Sequence, residues 1–252
     1  MNECTRTPPW AERPETVPRL TRAQMIEVDR AMVEDYGITL VQMMENAGRG
    51  LAQLARARFL DGSADARRVR VLAGSGGNGG GALVCARRLA NWGARVSVTL
   101  VAAPEAYRGV PRQQLDIVQR LGLPLDLGAP EADSPAPELI IDGLLGYSLS
   151  GAPRGAARQA IEWALSSPAP VLALDLPSGL DADSGEVLAP AIRAAATLTL
   201  ALPKVGLLAP AAAAHVGELY LADIGVPPRL YAQFLGLEIG PVFAASEILR
   251  LV

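Results

Sequence analysis

Two aspartates stand at the ends of apolar segments that have the length of buried strands. Asp142 follows Leu139–Ile141 in "ELIIDGLLG", and Asp175 closes the apolar part of "APVLALDLPSG". A carboxylate in such surroundings is costly to desolvate unless it is paired or takes part in chemistry. An aspartate that caps a turn is the simpler interpretation for Asp142, and it explains Asp175 less well because Asp175 lies within its apolar segment.

A run of glycines follows a third apolar segment. Six of the eight residues from Gly74 to Gly81 are glycine. Gly74, Gly76 and Gly79 satisfy G-x-G-x-x-G, but the acidic residue that a dinucleotide fingerprint places about 20 positions later is missing. No Gly-Lys-Ser/Thr follows, which excludes a Walker loop. Two interpretations stay open: backbone N–H groups that bind an anion at a helix N-terminus, and a tight strand-to-helix turn.

Other polar residues carry weaker signals. The loop "DGLLGYSLSGAPRG" after Asp142 offers hydroxyls and accessible backbone N–H groups. His215 is the only histidine and has no carboxylate nearby in sequence, so a Ser-His-Asp or metal-histidine site is not expected. Lys204 ends a strand and is expected to be exposed, although it could reach a phosphate. Glu45 and Asn46 could face the site or stay in solvent.

The elements that position these residues alternate between helices and short apolar strands. Thr21 is the expected cap of a first helix, in which Met25, Val28, Met32 and Val33 recur at helical spacing. Further helices are predicted over 40–60, 81–93, 111–122 and 155–167, and strands over 68–74, 94–101, 138–146, 169–179, 196–204 and 217–225. This alternation predicts a doubly wound α/β domain with a mostly parallel sheet and an N-terminal helical extension. Ligands of such sheets bind outside the carboxyl ends of the strands, so we expect the three loops to meet there around one pocket, with Asp142 and Asp175 pointing into it.

Composition narrows the class of protein. The chain of 252 residues is 50% hydrophobic and 19% charged, which excludes a disordered chain. Its net charge of −3 and the lack of a Lys/Arg-rich run exclude a nucleic-acid partner, and its apolar segments are too short to span a membrane. Residues 1–19 are predicted to be a disordered leader and 20–252 one domain. Two distant cysteines, Cys4 and Cys85, indicate the reducing cytoplasm.

The order of the motifs resembles one known family. "MMENAGR", "GNGG", "DGLLGYSLSGAPRG", "LDLPSGLDADSG", "LPKVGLL" and "GELYLADIGVP" follow one another over roughly residues 20–227. Together they are similar to the NAD(P)HX epimerase family, the YjeF N-terminal domain. The resemblance implies a Rossmann-like three-layer α/β/α sandwich, often a homodimer. It also implies an isomerase that interconverts the R and S forms of hydrated NADH and NADPH for a partner dehydratase, and that holds a potassium ion.

The resemblance also implies roles for individual residues. The ion would be held by Asn78, Asp142 and Ser178, and Asp175 would lie at the hydrated nicotinamide ring as the catalytic carboxylate. The nucleotide-like substrate would contact the glycine run and the second loop at Gly77, Asn78, Gly79, Gly80, Gly81, Gly146, Tyr147, Ser148, Leu149, Ser150, Gly151 and Ala152.

The glycine run departs from the family pattern. The family usually reads Gly-x-Gly-Asn-Asn-Gly-Gly-Asp-Gly, whereas this chain has Gly77 for the first Asn, Gly81 for the Asp and Ala82 for the last Gly. In the second loop, Tyr147 and Ser148 replace the usual Thr-Gly. Two alternatives to NAD(P)HX epimerisation therefore stay open: a family member that acts on another small molecule, and a binding or interaction module without catalysis.

Overall fold

The computed structural model describes residues 11–12, 17–130, 136–149 and 151–251. Its helices are α1 Arg22–Glu34, α2 Leu40–Phe59, α3 Gly77–Asn91, α4 Gly109–Arg120, α5 Gly155–Ser166, α6 Ala213–Val216 and α7 Pro228–Leu235. Its strands are β1 Ala11–Glu12, β2 Arg68–Ala73, β3 Arg95–Leu100, β4 Leu125–Leu127, β5 Leu139–Gly143, β6 Val171–Leu174, β7 Ala196–Leu200, β8 Glu218–Ala222 and β9 Ile248–Arg250. Short 3-10 helices cover Pro104–Ala106, Val205–Leu208 and Pro210–Ala212.

The strands form one mostly parallel sheet in the order β1-β9-β8-β7-β6-β5-β2-β3-β4. Only the pairing of β8 with β9 is antiparallel among the described strands. The chain winds outward in one direction from β2 through β3 and in the other from β5 through β8. The order reverses between β2 and β5, and the carboxyl ends of strands at such a switch point form the crevice where α/β proteins bind ligands.

Apolar side chains fill the space on both faces of the sheet. Leu54 of α2, Leu83 of α3 and Leu115 of α4 pack with Val71 in one core. Ile161 of α5 packs on the opposite face in a second core. Successive residues of a strand point to opposite faces, so the continuous apolar strands require helices on both sides. The three-layer α/β/α prediction is confirmed.

The N-terminal helices begin where the sequence indicates. The Thr21 side chain caps α1 by accepting from the backbone N–H of Gln24. Before α2, the N–H and the hydroxyl of Thr39 instead donate to the Gln42 side chain, both at 2.8 Å. Met25, Val28 and Met32 are buried as expected, but Val33 is 47% exposed. Val33 neighbours Met32 in sequence and therefore lies on a different face of α1.

One boundary prediction is wrong. The helix expected from Gly81 begins at Gly77 instead, so that most of the glycine run forms the first turn of α3. Within the segment 1–19 that the sequence predicts as a leader, Ala11–Glu12 pair with β9 as β1. Residues 1–10 and 13–16 lie outside the described part, so the division into a leader and one domain stays a prediction.

Candidate active site

The three predicted loops meet around one cavity of about 880 Å³ at the carboxyl ends of the strands. Its wall includes the turn after β2, the loop after β5 and the end of β6, and residues of α1 and α2 also line it. Ligand pockets in proteins span about 300–1,000 Å³, so the cavity is large enough for a sizeable small molecule.

The glycines of the first turn have two kinds of surroundings: some pack against backbone and others face open space. A Cβ atom on Gly74 would lie 2.0 Å from the Leu144 carbonyl oxygen, and one on Gly79 would lie 1.6 Å from the Gly74 carbonyl oxygen. These two residues must be glycine because backbone packs directly on backbone. A Cβ on Gly76 or Gly77 would meet open space, and both residues line the cavity. The run therefore combines a tight turn with an accessible helix N-terminus.

Asn78 connects all three loops. It lies in the first turn of α3, and its side-chain amide donates to the carbonyl oxygens of Leu145, at 3.1 Å, and Leu174, at 2.8 Å. Leu145 belongs to the loop after β5 and Leu174 ends β6. One side chain thus fixes the relative positions of the three strand ends.

Asp142 and Ser178 form a buried pair behind the cavity wall. Asp142 is fully buried, and its carboxylate accepts from the Ser178 hydroxyl at 2.6 Å, the Ser178 N–H at 2.8 Å and the Leu144 N–H at 3.1 Å. Burial raises the pKa of Asp142 to about 6, although these hydrogen bonds act in the opposite direction. Neither residue lines the cavity. The prediction that Asp142 points into the cavity is therefore wrong.

Asp175 lies on the cavity wall in a conformation that is rare for aspartate. Its φ of +67° places it in the left-handed region, where a residue other than glycine costs on the order of 1–3 kcal/mol. Its carboxylate accepts from the Leu200 N–H at 3.2 Å and the Thr199 hydroxyl at 3.3 Å. Only 2% of Asp175 is exposed. Such strain, held by fixed partners, is typical of functional sites.

Lys204 is the ion-pair partner of Asp175, and the prediction that it is exposed is wrong. Its ammonium group donates to the Asp175 carboxylate and, at 2.9 Å, to the Leu200 carbonyl oxygen. Lys204 is fully buried yet contributes to the cavity wall. Its backbone is held by the N-terminal segment, because Leu20 donates to Pro203 at 2.8 Å and accepts from Val205 at 3.0 Å. Burial of Lys204 therefore depends on a contact between distant parts of the chain.

The second loop forms the next part of the wall. Gly146, Tyr147, Ser148 and Leu149 all line the cavity. Arg22 at the start of α1 holds this loop by donating to the Ser148 carbonyl at 3.3 Å and the Leu149 carbonyl at 3.4 Å.

The remaining predicted contact residues are distributed unevenly. Ser150 lies outside the described residues, and Gly151 and Ala152 are exposed but are not part of the wall. Gly79 and Gly80 are buried behind it, whereas Gly81 lines it. Glu45 and Asn46 bond elsewhere, to arginines of α3 and to a backbone carbonyl respectively.

The sequence analysis did not identify Asp29, which is a second carboxylate on the cavity wall. Asp29 of α1 accepts a hydrogen bond from the Tyr147 hydroxyl, and both residues line the cavity. Burial raises the pKa of Asp29, while the Tyr147 hydroxyl and Lys204 act to lower it. The available signal was spacing, because Asp29 is four residues from Met25 and three from Met32 on the buried face of α1.

The residues predicted to hold an ion offer an oxygen-rich set. Asp142 is a fully buried carboxylate, and none of the ion pairs within the described residues includes it. The Ser178 hydroxyl oxygen is 2.6 Å from it, and Asn78 lies in the same group of loops. Hard cations prefer such oxygen ligands, and a positive ion would offset the buried charge. The donor set therefore fits potassium better than a transition metal.

In the described part of the chain, no helix is both long enough and apolar enough to cross a membrane.

Comparisons with known proteins give consistent results. The family model for the YjeF-related protein N-terminus matches residues 40–206. The NAD(P)H-hydrate epimerase of Dehalogenimonas lykanthroporepellens is 40% identical over 237 residues, which cover 92% of each chain. The bifunctional NAD(P)H-hydrate repair enzyme Nnr of Moorella thermoacetica is 38% identical over 220 residues, which cover 84% of this chain and 41% of that enzyme.

A solved structure supports the same fold. The crystal structure of yeast ynu0, YNL200c, superposes with a TM-score of 0.77 at 24% identity, covering 93% of this chain and 100% of that chain. The family model spans well over half of the 252 residues, and the Dehalogenimonas relative aligns over 92% of its own length. This chain therefore belongs to the YjeF-related protein N-terminus family.

Proposed function

We propose that this protein is an NAD(P)H-hydrate epimerase, an isomerase that interconverts the R and S forms of hydrated NADH and NADPH. The observation that carries the proposal is Asp175, a carboxylate held in a left-handed conformation on the wall of the cavity. Relatives with this name align over most of the chain, among them the enzyme of Rhodopirellula baltica at 34% identity.

The chemistry needs proton transfer and control of water. C6 of the hydrated ring carries a hydroxyl next to the ring nitrogen. Protonation of that hydroxyl lets the nitrogen lone pair expel water, and water that returns to the opposite face inverts the centre. A carboxylate positioned at the ring can transfer the proton, and a closed wall can orient the water. Asp175 supplies the carboxylate in this proposal, and its pairing with Lys204 fixes its position.

The cavity suits a nucleotide with an anionic part. The N-terminus of α3 opens onto it at Gly76 and Gly77, where backbone N–H groups and the helix dipole favour a phosphate. The loop Gly146–Leu149 lines the wall beside it and stays the proposed contact for the substrate phosphates. Gly79 and Gly80 are both buried, so in this proposal they do not contact the substrate directly and instead determine the shape of the turn.

The proposed cofactor is potassium, held by Asn78, Asp142 and Ser178. When bound, the ion supplies positive charge that offsets the Asp142 carboxylate and ties the loops together. The side chains already join these loops by their own hydrogen bonds, so their role is to keep the three strand ends in register around the cavity.

The wider setting follows from the proposed reaction. An NAD(P)HX dehydratase would consume the S form, and we propose it as the functional partner. A homodimer and a cytoplasmic location complete the proposal, the latter on the basis of two cysteines distant in sequence.

The alternatives depend on Gly81, which lacks the carboxylate usual at that position. A cavity wall that keeps Asp175, Asp29 and Lys204 is difficult to reconcile with a module that has lost catalysis. The Dehalogenimonas and Rhodopirellula relatives, which match over most of both chains, bear the epimerase name.

The test measures the conversion of purified S-NADHX to the R form by chromatography. The rate with protein is compared with the rate without protein. We expect activity in the unmodified protein and its loss in Asp175→Asn. Asp116→Asn on the surface of α4 is the matched control, because Asp116 pairs with Arg112 outside the cavity. An unmodified protein that becomes active only after Gly81→Asp would overturn the proposal.

A further inference from the structure

Epimerisation places a demand on the cavity that one carboxylate does not meet. Water leaves from one face of the ring and returns to the other, so a proton must be delivered on one side and removed on the other. In the reverse direction the two groups exchange roles. Asp175 accounts for one group and is bound to Lys204. A second proton-transfer group should therefore lie on the same cavity wall.

Asp29 meets the geometric requirements for this group. It lies on α1 and contributes to the cavity wall, as Asp175 does from the end of β6. Its carboxylate is held in place by the Tyr147 hydroxyl from the loop after β5. The pair is thus anchored on two elements that are 118 residues apart in sequence.

The surroundings of the two carboxylates differ in charge. Asp175 contacts a buried ammonium group. Asp29 instead contacts a neutral hydroxyl, and none of the ion pairs within the described residues includes it. Two carboxylates in surroundings of different charge are typical of acid–base pairs.

We propose that Asp29 is a second acid–base residue of this site and that Tyr147 is its positioning residue. The inference rests on the proposed epimerase function. In one direction the Asp29 O–H bond breaks and its proton passes to the C6 hydroxyl. The C6–O bond then breaks, its electron pair leaves with water, and the nitrogen lone pair forms the C=N bond. Water adds to the other face as that bond reverts to a lone pair, and the proton released passes to the Asp175 carboxylate. No oxidant or reductant is needed.

The pH dependence follows from the groups that face Asp29. They are Tyr147, Lys204, Asp175 and Tyr231, which come from four different elements. Burial raises the pKa of Asp29 above its usual range, and the Tyr147 hydroxyl opposes this by favouring the carboxylate. Loss of that hydroxyl should therefore raise the pKa of Asp29 further, because the carboxylate loses a hydrogen bond that favours its charged form.

The test compares two variants with two matched controls. Asp29→Asn should lower kcat by roughly 100-fold with little change in KM. Tyr147→Phe should move the alkaline limb of the kcat/KM profile upward by about one pH unit. Asp35→Asn, at the end of α1, and Tyr36→Phe should behave as the unmodified protein, because neither residue lines the cavity. Thermal unfolding of each variant reports whether it is folded.

The possible results distinguish failure of this inference from failure of the proposed function. Asp29→Asn within threefold of the unmodified protein, or an unmoved limb in Tyr147→Phe, overturns the inference while the epimerase proposal stands. If Asp29→Asn fails to fold, the Tyr147→Phe profile decides alone. An unmodified protein that does not interconvert S- and R-NADHX overturns the proposed function and this inference with it.

Discussion

Replacement of Lys204 by methionine tests the buried ion pair at the centre of the site. The Lys204 side chain is 1% exposed and that of Asp175 3% exposed, so neither charge is solvated. Methionine preserves most of the length of the side chain and removes the charge. The Asp175 carboxylate would keep its bonds from Thr199 and Leu200, at 3.3 and 3.2 Å, but would lose its cation.

The expected loss is large relative to the stability of a domain. Removing one partner of a buried ion pair costs about 3–5 kcal/mol, because the remaining charge is left uncompensated. Domains of this kind unfold with a free energy of about 5–15 kcal/mol. The double variant Lys204→Met/Asp175→Leu should recover most of the stability, because an apolar pair leaves no buried charge.

Urea unfolding followed by tryptophan fluorescence measures these differences at pH 7.5. Arg112→Met, which removes an exposed partner of Asp116 on α4, is the control and should cost less than about 1 kcal/mol. A Lys204→Met variant that loses less than about 1 kcal/mol at pH 7.5, or a double variant that is less stable than the single one, would refute the reasoning.

Three further predictions concern the glycine run and the proposed ion. Gly79→Ala should destabilise the protein by more than about 3 kcal/mol in urea unfolding, because its Cβ would lie 1.6 Å from a backbone oxygen. Gly77→Ala is the control: its Cβ meets open space, so the substitution should be neutral or stabilising by up to about 1 kcal/mol. Gly81→Asp should fold with a loss of about 1–3 kcal/mol, since its Cβ meets the end of a leucine side chain at 2.7 Å, and failure to fold would contradict this. The raised pKa of Asp142, about 6 in the folded state against about 3.9 when unfolded, should make the free energy of unfolding fall as the pH rises from about 4 to 6. Potassium chloride should abolish that fall and tetramethylammonium chloride should not; identical melting curves in the two salts would contradict the proposed ion site.

The sequence predicted the fold and the meeting of the three loops because both follow from local patterns. Apolar strands that alternate with helical segments require a parallel sheet, and parallel strands bring their carboxyl ends to one edge. Asn78, Asp142 and Ser178 do come together through hydrogen bonds between the loops. Strands that the patterns missed, such as β4 and β9, have three residues each and are too short to show a period.

The parts of the site that were missed depend on tertiary contacts. Lys204 ends a predicted strand, where lysine is usually exposed. In the structure it is buried against Asp175, next to the pairing of Leu20 with the neighbouring backbone. Asp29 is held on the cavity wall by a hydrogen bond from Tyr147, which lies 118 residues later in the chain, so its position could not be predicted from local sequence. The start of α3 was missed because glycine disfavours helices, and packing of backbone against backbone at Gly74 and Gly79 overrides that preference.

The most direct test of the account is the interconversion of purified S- and R-NADHX by the unmodified protein beside its Asp175→Asn variant. The account predicts that the unmodified protein equilibrates the two forms with glycine at position 81, and that the folded Asp175→Asn variant loses this activity. Equal rates for the two proteins would contradict the role of Asp175, and no rate above the protein-free reaction for the unmodified protein would contradict the proposed function.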